Sequence, residues 1–363
     1  MWARGSYHLA SGMGDEPVST GAGEIRTARL GILSVPQTMA HEPPPTGFYE
    51  PPPADRTLGA DTVRAVVRAQ FPELAAEAIE RLGDGWEHEA YLVDGRVVFR
   101  FPRYADVGRG FAAEARRLAL AASALGDAAG VPRITRWGRP GALFPHPFAG
   151  HDLVPGVAAN DPAAPFAPAL ADDLGRALGR IHAVPAEAAA AAGIDTSRMH
   201  RPDLPGAVRQ IRGWVAEVPA VRALAPAACA WLDGAPAEPP TDDTPVRFIH
   251  NDFQMEHVLV SPETGRLTGV IDWGGLMGEP GRVFSYVLLH GGPAFFARAA
   301  AAYGLPLGAG FAARTRFSAQ LGAIAWLADA VKRGADPPEH AVEPAGPGNL
   351  AGQAVDAPSF GEA

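Results

Sequence analysis

The residues with the greatest chemical potential lie between 250 and 274. Phe248-Ile249 leads into His250-Asn251-Asp252-Phe253-Gln254-Met255-Glu256-His257, the apolar run Val258-Leu259-Val260, a turn at Pro262-Glu263-Thr264-Gly265, a second run from Leu267 to Ile271, and then Asp272-Trp273-Gly274. A strand starting at His257 and another ending at Asp272, joined by a glycine-containing turn, would set those two side chains at neighbouring strand ends. Asp252 would occupy the loop just before them. Two carboxylates and an imidazole converging in a cleft offer a divalent-cation site beside a candidate general base. Taken singly, the same residues have plainer readings: an Asx turn at Asp252, a satisfied core His257 and a surface Asp272. Their joint spacing favours the site.

Such a cleft needs elements on both sides. Asp61 can cap a helix that puts Val63, Val66 and Val67 on one face, with Pro72 marking its limit. Ala90 to Val93 and Arg96 to Phe101 are apolar runs joined at Asp94-Gly95, a hairpin signal, and Pro102 stops the second strand. A helix follows from about Asp106 to Leu125, with Glu114 beside the apolar face formed by Phe111, Ala115 and Leu118. Further strand segments end near Phe144 to Val154, completing a small α+β lobe. Beyond Gly156 the pattern turns helical, from Ala171 to His182 and in alanine-rich stretches near 186–192 and 223–232. The expected organisation is a proline-rich disordered leader over 1–57, a small lobe over 58–150, a larger, mainly helical lobe over 151–335, and a disordered tail over 336–363.

Composition narrows the function classes. At 363 residues, 47% apolar and 20% charged, the chain is long enough for two lobes and folds as a globular protein. A formal charge of −9 and the lack of a basic stripe disfavour nucleic acid and anionic membranes as partners and permit a cationic ligand. The single cysteine, Cys229, excludes an internal disulfide and a cysteine-based zinc site. No apolar stretch reaches the length of a membrane span and the N-terminus lacks a secretory h-region, so the expected location is cytoplasmic. Lysine occurs only at Lys332, so any task usually given to lysine falls to arginine.

The run H-N-D-F-x-x-x-H-V-L-V at 250–260 and L-T-G-V-I-D-W-G at 267–274 resemble the catalytic loop and metal-binding segment of the aminoglycoside phosphotransferases, closest to the 2″ branch, with some resemblance to macrolide phosphotransferases. G-D-G-W-E-H-E-A-Y-L-V-D-G-R-V-V-F-R-F-P-R at 83–103 is similar to that family's nucleotide-covering hairpin and third strand, and the likeness spans about residues 60–335. It implies a bilobal, protein-kinase-like α+β fold and transfer of the γ-phosphate of ATP or GTP to a hydroxyl, with Mg²⁺. By resemblance Asp252 accepts or orients the acceptor proton, and Asp272 and His257 hold the magnesium. Arg100 stands where the family has its phosphate-facing lysine, with Glu114 as its partner and Arg103 as the competing candidate. His250 is a packing residue.

Two departures stand out. The lysine position carries Arg100. The family's G-D-P-x-x-D, whose last aspartate supports the catalytic loop, reads Gly278-Glu279-Pro280-Gly281-Arg282-Val283 here. They make a catalytically weak nucleotide-binding relative one alternative to an aminoglycoside kinase; a kinase of a macrolide or other hydroxylated metabolite, with the same mechanism and a different acceptor, is another. A polycationic acceptor would use carboxylates near the cleft, with Glu279 and Asp329 as candidates and Trp326 as a flat wall. The expected partner is a small cationic substrate, with the protein acting as a monomer or homodimer.

Overall fold

The structure, a computed structural model, describes residues 58–84 and 87–334. The leader expected over 1–57, the tail expected over 336–363 and Gly85 lie outside the described residues. Helix α1 (Ala60–Gln70) buries Val63, Val66 and Val67 on the face read from their spacing. Strands β1 (Ile79–Asp84), β2 (His88–Val93) and β3 (Val97–Pro102) follow. The β2–β3 connection turns at Asp94 (φ 51°) and Gly95 (φ 66°), the two left-handed positions that a tight Asp-Gly hairpin requires. A short 3₁₀ turn precedes α2 (Phe111–Leu125), and β4 (Ile134–Gly138) and β5 (Phe148–Asp152) complete an antiparallel sheet in the order β1-β2-β3-β5-β4. Aromatic side chains from three of these strands and their loops, Tyr91, Phe99, Phe101, Phe144 and Phe148, fill the space under α1.

The remaining elements are β6 (Val157–Ala158), α3 (Ala169–His182), α4 (Ala186–Ala191), α5 (Leu204–Glu217), α6 (Ala220–Leu224), α7 (Pro226–Asp233), β7 (Arg247–Ile249), β8 (Val258–Val260), β9 (Leu267–Val270), β10 (Leu276–Gly278), α8 (Pro280–Ala302) and α9 (Phe311–Arg333). The chain is thus an α+β protein, strand-rich in its first part and helical in its second. Two small sheets, β7–β10 and β6-β8-β9, carry the chemistry-bearing loops. Helix α3 packs tightly on α8, because a Cβ at Gly175 or Gly179 would overlap the carbonyl oxygens of Ala299 and Tyr303. Helix α8 is broken at Gly292 (φ 75°), just before Pro293. Helix α9 packs on α5, α6 and α7 around Leu321, Ile324, Leu327 and Ala328.

Helix α2 belongs to both parts. Its Glu114 faces β3, while Leu118, Ala121 and Leu125 enter the large core with Leu174, Leu178, Phe253 and Trp273. Among the described residues no helix is long and apolar enough to cross a membrane.

Candidate active site

Strand β7 pairs antiparallel with β10, Ile249 opposite Leu276, so the chain leaves β7 at His250 beside the segment that begins at Asp272. His250 is fully buried, its Nε2 donates to the carbonyl of Ile271 at 2.9 Å, and its ring lies 4.6 Å from that of Trp273. Burial, reinforced by His257, pushes its pKa down to about 3, so it is neutral. This is the packing role expected of it. Trp273 Nε1 donates to Val270 O at 2.8 Å, which fixes the turn, and Asp272 (φ 57°) holds the left-handed conformation that swings its carboxylate back toward the loop.

Asp252, His257 and Asp272 come together: one ligand atom from each lies within 4.8 Å of the others. His257 Nδ1 is 2.8 Å from the main-chain oxygen of Asp252 and donates to it, leaving Nε2 turned toward Asp272 Oδ2 at 3.4 Å and Glu256 Oε1 at 3.6 Å. Asp252 Oδ1 accepts from Gln254 Nε2 at 2.9 Å. Four buried atoms, Asp252 Oδ2, Glu256 Oε1, His257 Nε2 and Asp272 Oδ2, have no hydrogen-bond partner among the described residues. Buried polar atoms are normally satisfied, so this cluster fits a divalent cation supplying the missing partner. Magnesium favours oxygen ligands, which the carboxylates provide around the one imidazole.

Electrostatics agree with the geometry. Burial opposes a charge on His257, yet Asp272, Asp252 and Glu256 together raise its pKa to about 9. Burial raises the carboxyl of Glu256 to about 7 and lifts that of Asp252, with Asp272 adding to both. A cation entering the cluster would displace the proton on Nε2 and relieve the crowding of carboxylates.

Arg100, on β3, and Glu114, on α2, form a largely buried ion pair. The Arg100 guanidinium also lies 3.1 Å from His88 Nδ1 through Nη2, and its Cζ is 5.9 Å from the ring centre of Phe111. Burial works against its charge, but Glu114 and then Asp272 raise its pKa, so it stays cationic and within electrostatic reach of the 252–272 cluster. Arg103 instead lies over the ring of Tyr104. Glu87, next to the β1–β2 hairpin tip, faces the same space; burial raises its carboxyl to about 7 against the pull of Arg100.

The two candidate acceptor ligands fall differently. Glu279 lies just ahead of α8 with both oxygens taken, by Arg314 (2.9 and 3.1 Å) and Arg201 (3.0 Å). It braces α8 against α9 and offers no free charge to a cationic ligand. Asp329 pairs with Arg333 at 3.0 Å on α9 and keeps Oδ1 without a partner. One turn before it, Trp326 stacks on Tyr286 at 5.8 Å, and Tyr286 is buried where Asp252 influences its phenol.

At the position where the resembled family has its supporting aspartate, Val283 is fully buried in the large core. The neighbouring Arg282 Nε donates to Asn251 O at 3.1 Å, so an arginine on α8 braces the loop in which Asn251 takes a φ of 77°. Sequence reasoning missed this donor, and also Gln254, Glu256, Glu87 and His88. Glu256 and Gln254 sit inside the 250–260 run, yet nothing in their spacing says which face of a 3₁₀ turn they occupy.

The family model described as phosphotransferase enzyme family matches residues 78–315. No curated protein matches the chain. Among solved structures, the GDP complex of wild-type aminoglycoside 2′-phosphotransferase-IIIa is similar at TM-score 0.57 and 21% identity, covering 76% of this chain and 93% of that one. The GDP and kanamycin complex of APH(2″)-IIIa gives 0.55 and 21%, covering 75% and 92%. Macrolide 2′-phosphotransferase MphH from Brachybacterium faecium gives 0.51 and 23%, covering 80% and 97%. These identities establish a shared fold.

Proposed function

This chain belongs to the phosphotransferase enzyme family, and from that premise we propose that it transfers the γ-phosphoryl group of ATP or GTP to a hydroxyl of an aminoglycoside-type antibiotic. The observation that carries the reading is that Asp252 Oδ2, His257 Nε2 and Asp272 Oδ2 converge without hydrogen-bond partners among the described residues, with Arg100 of the Arg100–Glu114 pair within electrostatic reach of Asp272. Asp252 Oδ2 is the atom that receives the acceptor hydroxyl's hydrogen bond and then its proton, while Gln254 holds Oδ1 and keeps the carboxylate from turning. Arg100, anchored on Glu114, donates to phosphate oxygens. His257 and Asp272 would hold Mg²⁺, which neutralises charge on the transferred phosphoryl group and its leaving oxygen when bound.

The acceptor class is supported by the wording of residues 250–260, by the formal charge of −9, and by the kanamycin complex among the similar structures. Asp329, with one oxygen unpartnered beyond Trp326, is the carboxylate we assign to a cationic acceptor, and Glu279 is not. The test is a panel of aminoglycosides, macrolides and neutral sugars incubated with the protein, Mg²⁺ and either nucleotide, read by mass. An aminoglycoside gaining one phosphate supports the assignment. Transfer only to a macrolide or neutral sugar overturns the acceptor class, and no transfer to any acceptor overturns the proposed activity.

A further inference from the structure

Arg100 is held by two acceptors of different kinds. Ala90 pairs with Arg100 and His88 with Pro102 in the β2–β3 register, so His88 and Arg100 are diagonal neighbours on one face of the sheet. Glu114 takes Nη1 from α2, and His88 Nδ1 faces Nη2 at 3.1 Å. A guanidinium can only donate, so Nδ1 must carry the lone pair and the imidazole proton must be on Nε2. Burial and the charge of Arg100 both keep His88 neutral. Its Nε2 is buried with no partner among the described residues. The ring therefore leaves one of its own hydrogen bonds unmade while serving Arg100, which is not how a packing histidine is ordinarily settled. Phe111 closes the box, 5.0 Å from the His88 ring and 5.9 Å from Arg100 Cζ.

The second acceptor matters because the cation here is an arginine. An ammonium presents its donors around one atom, so a single carboxylate anchors it. A guanidinium is a planar fork, and one contact at Nη1 leaves its plane free to swing. Fixing Nη2 as well sets that plane. The remaining N–H groups, on Nε and one on each Nη, have no acceptor among the described residues.

We propose that His88 is a positioning residue whose unprotonated Nδ1 fixes the Arg100 guanidinium in the orientation that meets the nucleotide phosphates. The inference rests on the reading above that Arg100 contacts those phosphates. A lysine at 100 would leave His88 Nδ1 without the fixed donor that Nη2 supplies.

The experiment uses the full chain and measures Kd for Mg·ADP and Mg·GDP, together with nucleotide and acceptor KM, in five single variants and one double. Arg100→Ala should weaken nucleotide binding. His88→Leu should weaken it about tenfold, the loss expected for one hydrogen bond to a charged group, with acceptor KM unchanged. His88→Asn, whose amide oxygen falls near the place of Nδ1, should recover to within about twofold, whereas His88→Gln, whose oxygen lies further out, should not. In an Arg100→Lys background, His88→Leu should add no further loss. Equal Kd values for the Asn and Gln variants, or a full additional loss in the lysine background, would overturn the proposal, and the Asn and Gln comparison decides it even if the leucine variant does not fold. Weakening by Arg100→Ala without any by His88→Leu removes His88 alone. Unchanged binding in Arg100→Ala removes the phosphate role of Arg100 and the proposal with it.

Discussion

The ring of His257 is tied to the backbone of Asp252: Nδ1 donates to the Asp252 carbonyl oxygen at 2.8 Å. The contact fixes the tautomer, so the lone pair of the neutral ring is on Nε2, facing Asp272. The candidate base and a candidate metal ligand are thereby one mechanical unit. A shift of the loop at 251–252 moves the imidazole that faces the other carboxylate.

Asp252→Asn should retain nucleotide binding and lower kcat by at least ~10²-fold, since an amide keeps the hydrogen bond from Gln254 but cannot take a proton. Calorimetric nucleotide binding beside steady-state rates checks both halves. Near-normal turnover would remove Asp252 from proton transfer.

Chelation of divalent cations should abolish transfer, and Asp272→Ala should weaken Mg·nucleotide binding more than binding of the metal-free nucleotide. Without metal, His257 is protonated below about 9, so a cation must displace that proton. Raising pH toward 9 removes the competitor, so the Mg²⁺ concentration needed for half-maximal rate should fall as pH rises from about 7. His257→Asn should flatten that dependence; an unchanged slope would place the titrating group elsewhere.

Glu279→Ala should act on stability rather than acceptor affinity. It strands Arg314, which is largely buried, and the half-exposed Arg201. The expected cost is about 3 kcal/mol, the low end for breaking a buried pair. Thermal unfolding gives the first quantity and acceptor KM the second. An increase in KM with no loss of stability would restore Glu279 as an acceptor ligand.

His182 is fully buried, with Nδ1 2.8 Å from Tyr303 Oη, and burial lowers its pKa to about 3 from 6.5. Burial holds the ring unprotonated. The unfolded chain binds this proton more readily, so the stability His182 contributes is complete above about 6.5 and lost as pH falls toward 3. His182→Gln should reduce the dependence of stability on pH in that window. A denaturant midpoint that tracks pH identically in both proteins would assign the effect to other groups, among them His250.

Local signals were the legible ones. Asp94-Gly95 marked the hairpin because its turn demands left-handed backbone, and the spacing of Val63, Val66 and Val67 gave α1 its buried face. Strand β1 left no such trace. Its residues Ile79 to Asp84 alternate imperfectly because the pairing slips between Arg81 and Gly83, and the strand is defined by β2 alone. In the candidate site, Asp252, His257 and Asp272 could be found together because a turn of known type joins their strands. Contacts from distant chain segments were not legible: Arg282 reaching Asn251 from α8, Arg314 and Arg201 neutralising Glu279, and His88 meeting Arg100 across a register that only the folded sheet fixes.

Helix α2 gives Glu114 to the sheet and Leu118, Ala121 and Leu125 to the large core. A heating experiment should feel this directly. Pulling the sheet away would drag three core side chains into water, so neither half can melt while the other stays intact. A calorimeter should record a single endotherm for the described part of the chain, with van't Hoff and calorimetric enthalpies in agreement.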